Sequence, residues 1–270
     1  MKITALFTFS AIFLLACSNA TKKMTTNHLS NKNPVIAHRG AWKAKGLPEN
    51  SIASLKAAIE LGCYGSEFDV RMTADDSLVI NHDPAHAGME IERTNYSELI
   101  KQPLSNGEKI PTLAEYIQAG TNGNHKTKLI VEIKPSGISK ERGQAIAINV
   151  VNLIKQLDAA KMVEYISFDY EILKKIHELD TAAITQYLEG DKAPDDLKRD
   201  GISGADYHFS VYDKHPEWIT QALQHHLVLN AWTVNSNDKI EQLLKSGVHF
   251  ITTNEPELAF AIYHQLHPEK

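Results

Sequence analysis

Apolar residues along this chain follow two periods that take turns. Short β-branched runs occur at 35–37, 64–70, 129–133, 165–168, 182–187, 202–207, 228–234 and 250–252. Between them, apolar residues recur every three to four positions at 51–61, 140–157, 216–225, 238–244 and 255–263, several of these stretches opened by Ser or Asp as N-caps. Strand and helix repeated in this order predict parallel pairing through right-handed crossovers. An open doubly wound sheet and a closed barrel both satisfy that pattern. The number of runs, and a folded part of roughly 240 residues, favour an α/β fold of the (β/α)8 TIM-barrel type, which takes about 250. Segment 75–118 is longer than a usual strand-to-helix loop. It reads as a small insertion after the second strand, with a hairpin around 78–80 and a short helix near 96–100.

The N-terminus belongs to a different class of segment. Met1-Lys2 is followed by an apolar run and then by Leu14-Leu15-Ala16-Cys17. A charged start, a short apolar stretch and a small residue before cysteine predict an export signal. A run of roughly 13 residues is too short to span about 30 Å of hydrocarbon. The last four residues resemble a bacterial lipobox, so residues 1–17 are expected to be a lipoprotein signal peptide, 18–33 a flexible tether, and 34–270 the barrel domain. A buried N-terminal helix is the competing reading. The tether is rich in Ser, Thr, Asn and Lys and has too few apolar groups to offset the entropy of ordering it. The protein is thus expected to be exported and lipid-anchored at Cys17 in the cell envelope, periplasm or outer membrane, touching membrane through that anchor only. With Cys17 acylated, Cys63 has no intramolecular disulfide partner, and the fold must stand on its core. A formal charge of -5 leaves no general basic surface, so a nucleic-acid partner is not expected.

Ionisable residues collect where the predicted barrel strands end. Glu67 and Asp69 lie two apart on one strand and project to the same side, the barrel lumen. Two inward carboxylates repel unless something positive lies between them. A divalent cation satisfies that, and oxygen ligands favour a hard ion, Mg2+ or Ca2+. Glu132 ends the next barrel strand in the same way. His38 follows the first run, and His82 follows Leu78-Val79-Ile80-Asn81. Two imidazoles beside one cation can share proton transfer, though either alone also fits a structural histidine. Arg39 and Lys134 offer fixed positive charge to a phosphodiester, and exposed solvated cations are the alternative. Pro48-Glu49-Asn50-Ser51 reads as a capping turn with Asn50 or Ser51 as the cap, and Glu49 as a residue behind the ligands.

Taken together, His38-Arg39-Gly40, Pro48-Glu49-Asn50, Glu67-Phe68-Asp69-Val70, His82-Asp83, Val131-Glu132-Ile133-Lys134, Trp232-Thr233-Val234-Asn235 and Thr252 with Asn254-Glu255-Pro256 resemble the glycerophosphodiester phosphodiesterase family. They span nearly the whole predicted domain. The resemblance implies a (β/α)8 barrel, one divalent cation on Glu67, Asp69 and Glu132, and His38 and His82 as the acid–base pair. It also implies phosphate contacts from Arg39 and Lys134, and Trp232 as a wall of the substrate pocket. Asn254 stands where many relatives carry Asp and is given no catalytic role. Ala85-His86-Ala87-Gly88 departs from the family's usual loop. His86 reads as an exposed loop residue, and His208 as loop packing with a place in the pocket as the alternative.

The implied reaction is metal-dependent hydrolysis of a small-molecule glycerophosphodiester to an alcohol and sn-glycerol 3-phosphate. Direct attack by water and a cyclic phosphate formed by the substrate's own hydroxyl both remain open. Two rival functions go with other pockets. A wide apolar mouth around Trp232 and Tyr207 fits a lysophospholipase D or sphingomyelinase D-like enzyme. A lipoprotein that merely binds phosphodiesters needs no acid–base pair.

Overall fold

The computed structural model describes residues 33–268. The expected signal peptide and almost all of the expected tether lie outside the described residues. No helix among the described residues is long and apolar enough to cross a membrane.

In chain order the strands are β1 (Val35–Ala37), β2 (Gly65–Met72), β3 (Leu78–Ile80), β4 (Ala85–His86), β5 (Met89–Glu90), β6 (Lys128–Ile133), β7 (Val163–Ser167), β8 (Thr185–Tyr187), β9 (Gly204–His208), β10 (Val228–Trp232) and β11 (Phe250–Thr253). β1, β2 and β6 through β11 pair in parallel in sequence order. The barrel closes where β1 meets β11, Val35 opposite Ile251, and β2, Ile36 opposite Gly65. The expected (β/α)8 barrel is therefore the fold. The helices are α1 (Ile52–Leu61), α2 (Tyr96–Leu99), α3 (Leu113–Thr121), α4 (Lys140–Gln156), α5 (Tyr170–Leu179), α6 (Pro194–Arg199), α7 (Phe209–Lys214), α8 (Glu217–Gln224), α9 (Asn237–Ser246) and α10 (Pro256–Leu266).

Local chemistry sets the helix ends. Ser51 caps α1 by accepting from the Ser54 amide, and Gly62 ends it in the left-handed region. Thr112 and Glu115 form a reciprocal capping box on α3. The insertion after the second strand is present. β3 turns back antiparallel on β2, with Val70 opposite Ile80, and β4 and β5 form a separate hairpin. Val79, Ile91, Leu99 and Ile110 give the insertion a small core of its own.

Two apolar layers hold the barrel. Outward-facing strand residues such as Phe68, Val131 and Leu229 pack against helix residues such as Leu55, Ile146 and Ile172. Inside, Ile36, Ile130, Ile166, Val228 and Phe250 plug the lumen. Each such side chain contributes about 1.5–3 kcal/mol on burial. With the lumen plugged from below, the open end lies at the strands' C-terminal rim. The strands approach closely at Gly204, where an added Cβ would stand 2.6 Å from the Val228 carbonyl oxygen. Gly204→Ala should therefore lower stability by about 1–3 kcal/mol, as overpacking does. An unchanged chemical-denaturation midpoint for this variant would show that the strands can move apart there at no cost.

Candidate active site

The register between β2 and β6 sets Asp69 opposite Glu132, with Glu67 two residues earlier on the same face. One carboxylate oxygen from each of Glu67, Asp69 and Glu132 lies within 4.8 Å of the others, and all three side chains are buried. Lys134 Nζ reaches Asp69 Oδ1 at 2.8 Å and Glu132 Oε1 at 2.6 Å. Three carboxylates thus share one ammonium, which leaves two negative charges in a buried space. Among the described residues, Glu67 Oε1 has no hydrogen-bond partner, and the oxygens facing Lys134 meet it as ion pairs without hydrogen-bond alignment. Unpartnered hard oxygens and that residual charge fit a divalent cation.

The protonation of the cluster carries the same strain. Burial, and then Asp69 and Glu132, push the Glu67 carboxyl well above the usual range. Burial and then Asp69 push Glu132 up to about 7. Burial would raise Asp69 as well, but Lys134, His82 and Asn50 hold it down to about 2. Burial also works against the charged form of Lys134, but Asp69 and Glu132 outweigh it and raise its pKa.

The two histidines stand in unlike surroundings. His38 follows β1; its Nδ1–H donates to Asn254 Oδ1 at 2.7 Å, and its Nε2 lies 3.9 Å from Glu67 Oε2. That bond fixes the tautomer, leaving Nε2 as the bare nitrogen. Burial, and then Arg39, pull the imidazole down to about 4, so it is neutral near pH 7. His82 follows β3 and is more exposed. Its Nδ1–H donates to Asp83 Oδ1 at 2.8 Å, and its carbonyl accepts from Arg71 Nε and Nη2 at 3.0 and 2.6 Å.

The turn after β1 links these parts. Arg39 has a φ of 59°, an unusual conformation for a side-chain-bearing residue, and it aims the Arg39 amide at Glu67 Oε2, 2.9 Å away. The Arg39 guanidinium pairs with Glu49 and lies 3.7 Å from Asp69 Oδ2. Burial opposes its charge, but Glu49 and Asp69 raise its pKa. Gly40 must remain glycine here, because its φ is 82° and a Cβ would fall 2.6 Å from the Ser54 backbone. Asn50 is not the helix cap; Ser51 takes that role. Asn50 instead donates to Asp69 Oδ2 at 2.8 Å and accepts from the Asp69 amide at 3.2 Å.

His38, Arg39, His82, Glu132, Lys134 and Trp232 border one cavity of about 110 Å3, together with Glu67. The glycerophosphoryl diester phosphodiesterase family matches residues 38–258, which encloses every one of these side chains. The chain belongs to this family. A glycerophosphodiester phosphodiesterase crystal structure from Parabacteroides distasonis superposes with a TM-score of 0.84 at 40% identity, covering 87% of this chain and 98% of that one. The glycerophosphodiester phosphodiesterase of Caldanaerobacter subterraneus subsp. tengcongensis is 29% identical over 247 residues, 84% of this chain and 96% of the relative. An Oleispira antarctica phosphodiesterase, solved in complex with the product sn-glycerol-3-phosphate, shares the fold with a TM-score of 0.72 at 24% identity, covering 85% of this chain and 96% of that one. Family membership bears out both the resemblance and the expectation of a phosphodiester hydrolase.

Within this family fold, Glu49 lies outside the main cavity, bordering an adjoining one with Asn81, Asp83 and His86. His86 Nε2 donates to the Gln102 carbonyl at 2.7 Å. His208 accepts from Ser210 and packs edge-on against Trp232, 5.2 Å between centroids, so it buttresses the wall. Three positioning residues escaped the sequence reading: Asn254 on His38, Asn50 on Asp69, and Arg71 on His82. Asn254 and Asn50 lay within the quoted motifs; nothing local pointed to Arg71. Asn50→Ala should cost about 1–3 kcal/mol, because it strips one hydrogen bond from the buried Asp69 carboxylate and another from the Asp69 amide. Thermal unfolding with and without saturating divalent cation measures this. A melting temperature equal to that of the unaltered protein in both conditions would deny Asn50 its supporting role.

Proposed function

We propose that the protein hydrolyses glycerophosphodiesters to an alcohol and sn-glycerol 3-phosphate, using Mg2+ or Ca2+ held by Glu67, Asp69 and Glu132. The observation that carries this reading is that a half-buried imidazole of lowered pKa and a carboxylate-paired imidazole border one small cavity with Glu67 and Glu132, which Asp69 completes as an under-compensated acidic triad. The relatives' names and the product bound by the Oleispira antarctica enzyme support the substrate class. When bound, the cation would polarise a phosphoryl oxygen and stabilise its growing charge. His38 Nε2 accepts the proton of the attacking group, either water or the substrate's own glycerol hydroxyl, the latter giving a cyclic phosphate that water then opens, with Asn254 holding the ring in the required tautomer. His82, oriented by Asp83 and Arg71, protonates the leaving alkoxide. Arg39 and Lys134 place positive charge beside the phosphate, and Trp232 forms the pocket wall.

The cavity favours deacylated substrates over lipids. Tyr207 does not open onto a wide apolar mouth; it is fully buried, and its hydroxyl donates to the Lys192 carbonyl. A passive binder would have no use for two histidines oriented by different partners at one cavity. The lipobox at Cys17 supports an enzyme tethered in the cell envelope, acting on soluble head-group diesters.

Chelated protein should regain turnover of glycerophosphocholine or glycerophosphoethanolamine when Mg2+, Ca2+ or Mn2+ is restored, with lysophosphatidylcholine a poor substrate. A cation at about 100 times its Kd should add about 2.7 kcal/mol of stability. His38→Ala and His82→Ala should each lower kcat by about 10²- to 10⁴-fold while keeping that thermal response. Glu67→Ala should lose both turnover and response. Undiminished cation binding in Glu67→Ala would remove the ligand assignment, and full activity after exhaustive chelation would remove the cation itself.

A further inference from the structure

The cavity has two unlike halves. His38, Arg39, Glu67, Glu132 and Lys134, from β1, β2 and β6 with their following loops, make one side ionic. The opposite side, from β7 to β10, carries Ile166, Phe168, Leu188 and Trp232, and among these apolar groups stands a single carboxyl, Asp206. Asp206 is 1% exposed and borders the cavity, yet its Oδ1 has no hydrogen-bond partner. Its place is well fixed: it faces Asn230 across the β9–β10 register, and its carbonyl accepts from Trp232 Nε1 at 2.9 Å. A buried carboxyl oxygen left unsatisfied costs about 1–3 kcal/mol, so a side chain serving packing alone would do better as a hydrocarbon.

We infer that Asp206 is a substrate-binding residue that hydrogen-bonds a hydroxyl of the glycerol arm and so selects polyol phosphodiesters. This rests on the function proposed above. With the phosphate held on the ionic side, the arm of the same substrate that enters the cavity extends toward β7–β10. Its carbon chain meets Trp232, Phe168 and Leu188, and its hydroxyl meets Asp206, the one carboxyl there, with Thr233 also on the wall. A hydroxyl both donates and accepts, so it suits a carboxyl in either protonation state. Burial, partly offset by Asn230, keeps Asp206 well above the usual carboxylate range.

The test compares ligands that differ only in hydroxyls. Calorimetry on the cation-loaded chain measures Kd for sn-glycerol 3-phosphate and for propyl phosphate, which has the same carbon chain and phosphate. The unaltered protein should bind the glycerol ester on the order of ten- to a hundredfold more tightly. In Asp206→Ala and Asp206→Leu that ratio should fall toward one, with propyl phosphate affinity kept, while Asp206→Asn should retain part of the preference. Equal affinity for both ligands in the unaltered protein overturns the inference without needing any variant to fold. So does a preserved ratio in both Asp206→Ala and Asp206→Leu, or a parallel loss for both ligands. Failure of the function itself would appear elsewhere, as absent turnover of every glycerophosphodiester by the unaltered, cation-loaded protein.

Discussion

The structure depends on a charge imbalance at the mouth of the barrel. Glu67, Asp69 and Glu132 are drawn within a few ångströms of one another by the pairing of β2 with β6, and Lys134 supplies one compensating charge. Left to themselves these groups resolve the conflict by holding protons, which is why Glu67 and Glu132 are shifted upward while Asp69, nearest the cationic neighbours, is not. A site arranged in this way is already close to the geometry a divalent ion requires. The triad could hold such an ion, whose charge would relieve the repulsion among the carboxylates.

The same rim gives two chemically identical side chains different tasks. His38 is half-buried beside Arg39, and these two features favour a neutral ring; the amide oxygen on Nδ1 works against them but fixes the tautomer whose free nitrogen faces the acidic cluster. His82 sits outward, and its Nδ1–H is held by the Asp83 carboxylate. The base and acid roles proposed for them accord with these different surroundings. Asn254 makes sense in these terms. An amide oxygen fixes the tautomer without adding a fourth negative charge near Glu67.

How much of this could be read from the sequence follows from the range of the interactions. The alternating and helical periods act over a few residues, and they revealed the barrel strands, the insertion and the ionisable strand ends. Glu67 and Asp69 were legible because a period of two puts them on one face whatever the rest of the fold does. The supporting groups were not. Asn254 reaches His38 across 216 residues of chain, and Asn50 reaches Asp69 across 19. Asn50 also carried a competing local signal, since an Asn before Ser at a helix start looks like a cap, and only Ser51 performs that function. Arg71 reads as one more inward residue of β2 until β3 folds back and brings the His82 carbonyl to its guanidinium. Asp206 gave no signal beyond lying at a strand end, because its distinguishing property is a partner that is missing.

That missing partner belongs to a wider division within the barrel. Gln186, Asp206 and Asn230 each leave a buried side-chain oxygen unpaired, as Glu67 does, and the strand alternation turns all four toward the lumen. At about 1–3 kcal/mol apiece, such groups weaken the fold. The apolar layer between strands and helices carries most of the stability that tolerates them. A closed barrel makes this separation possible because every strand has two faces with different duties. The outward face is packed by helices and resists change, while the inward face above the apolar plug can hold polar groups whose partners arrive with the substrate.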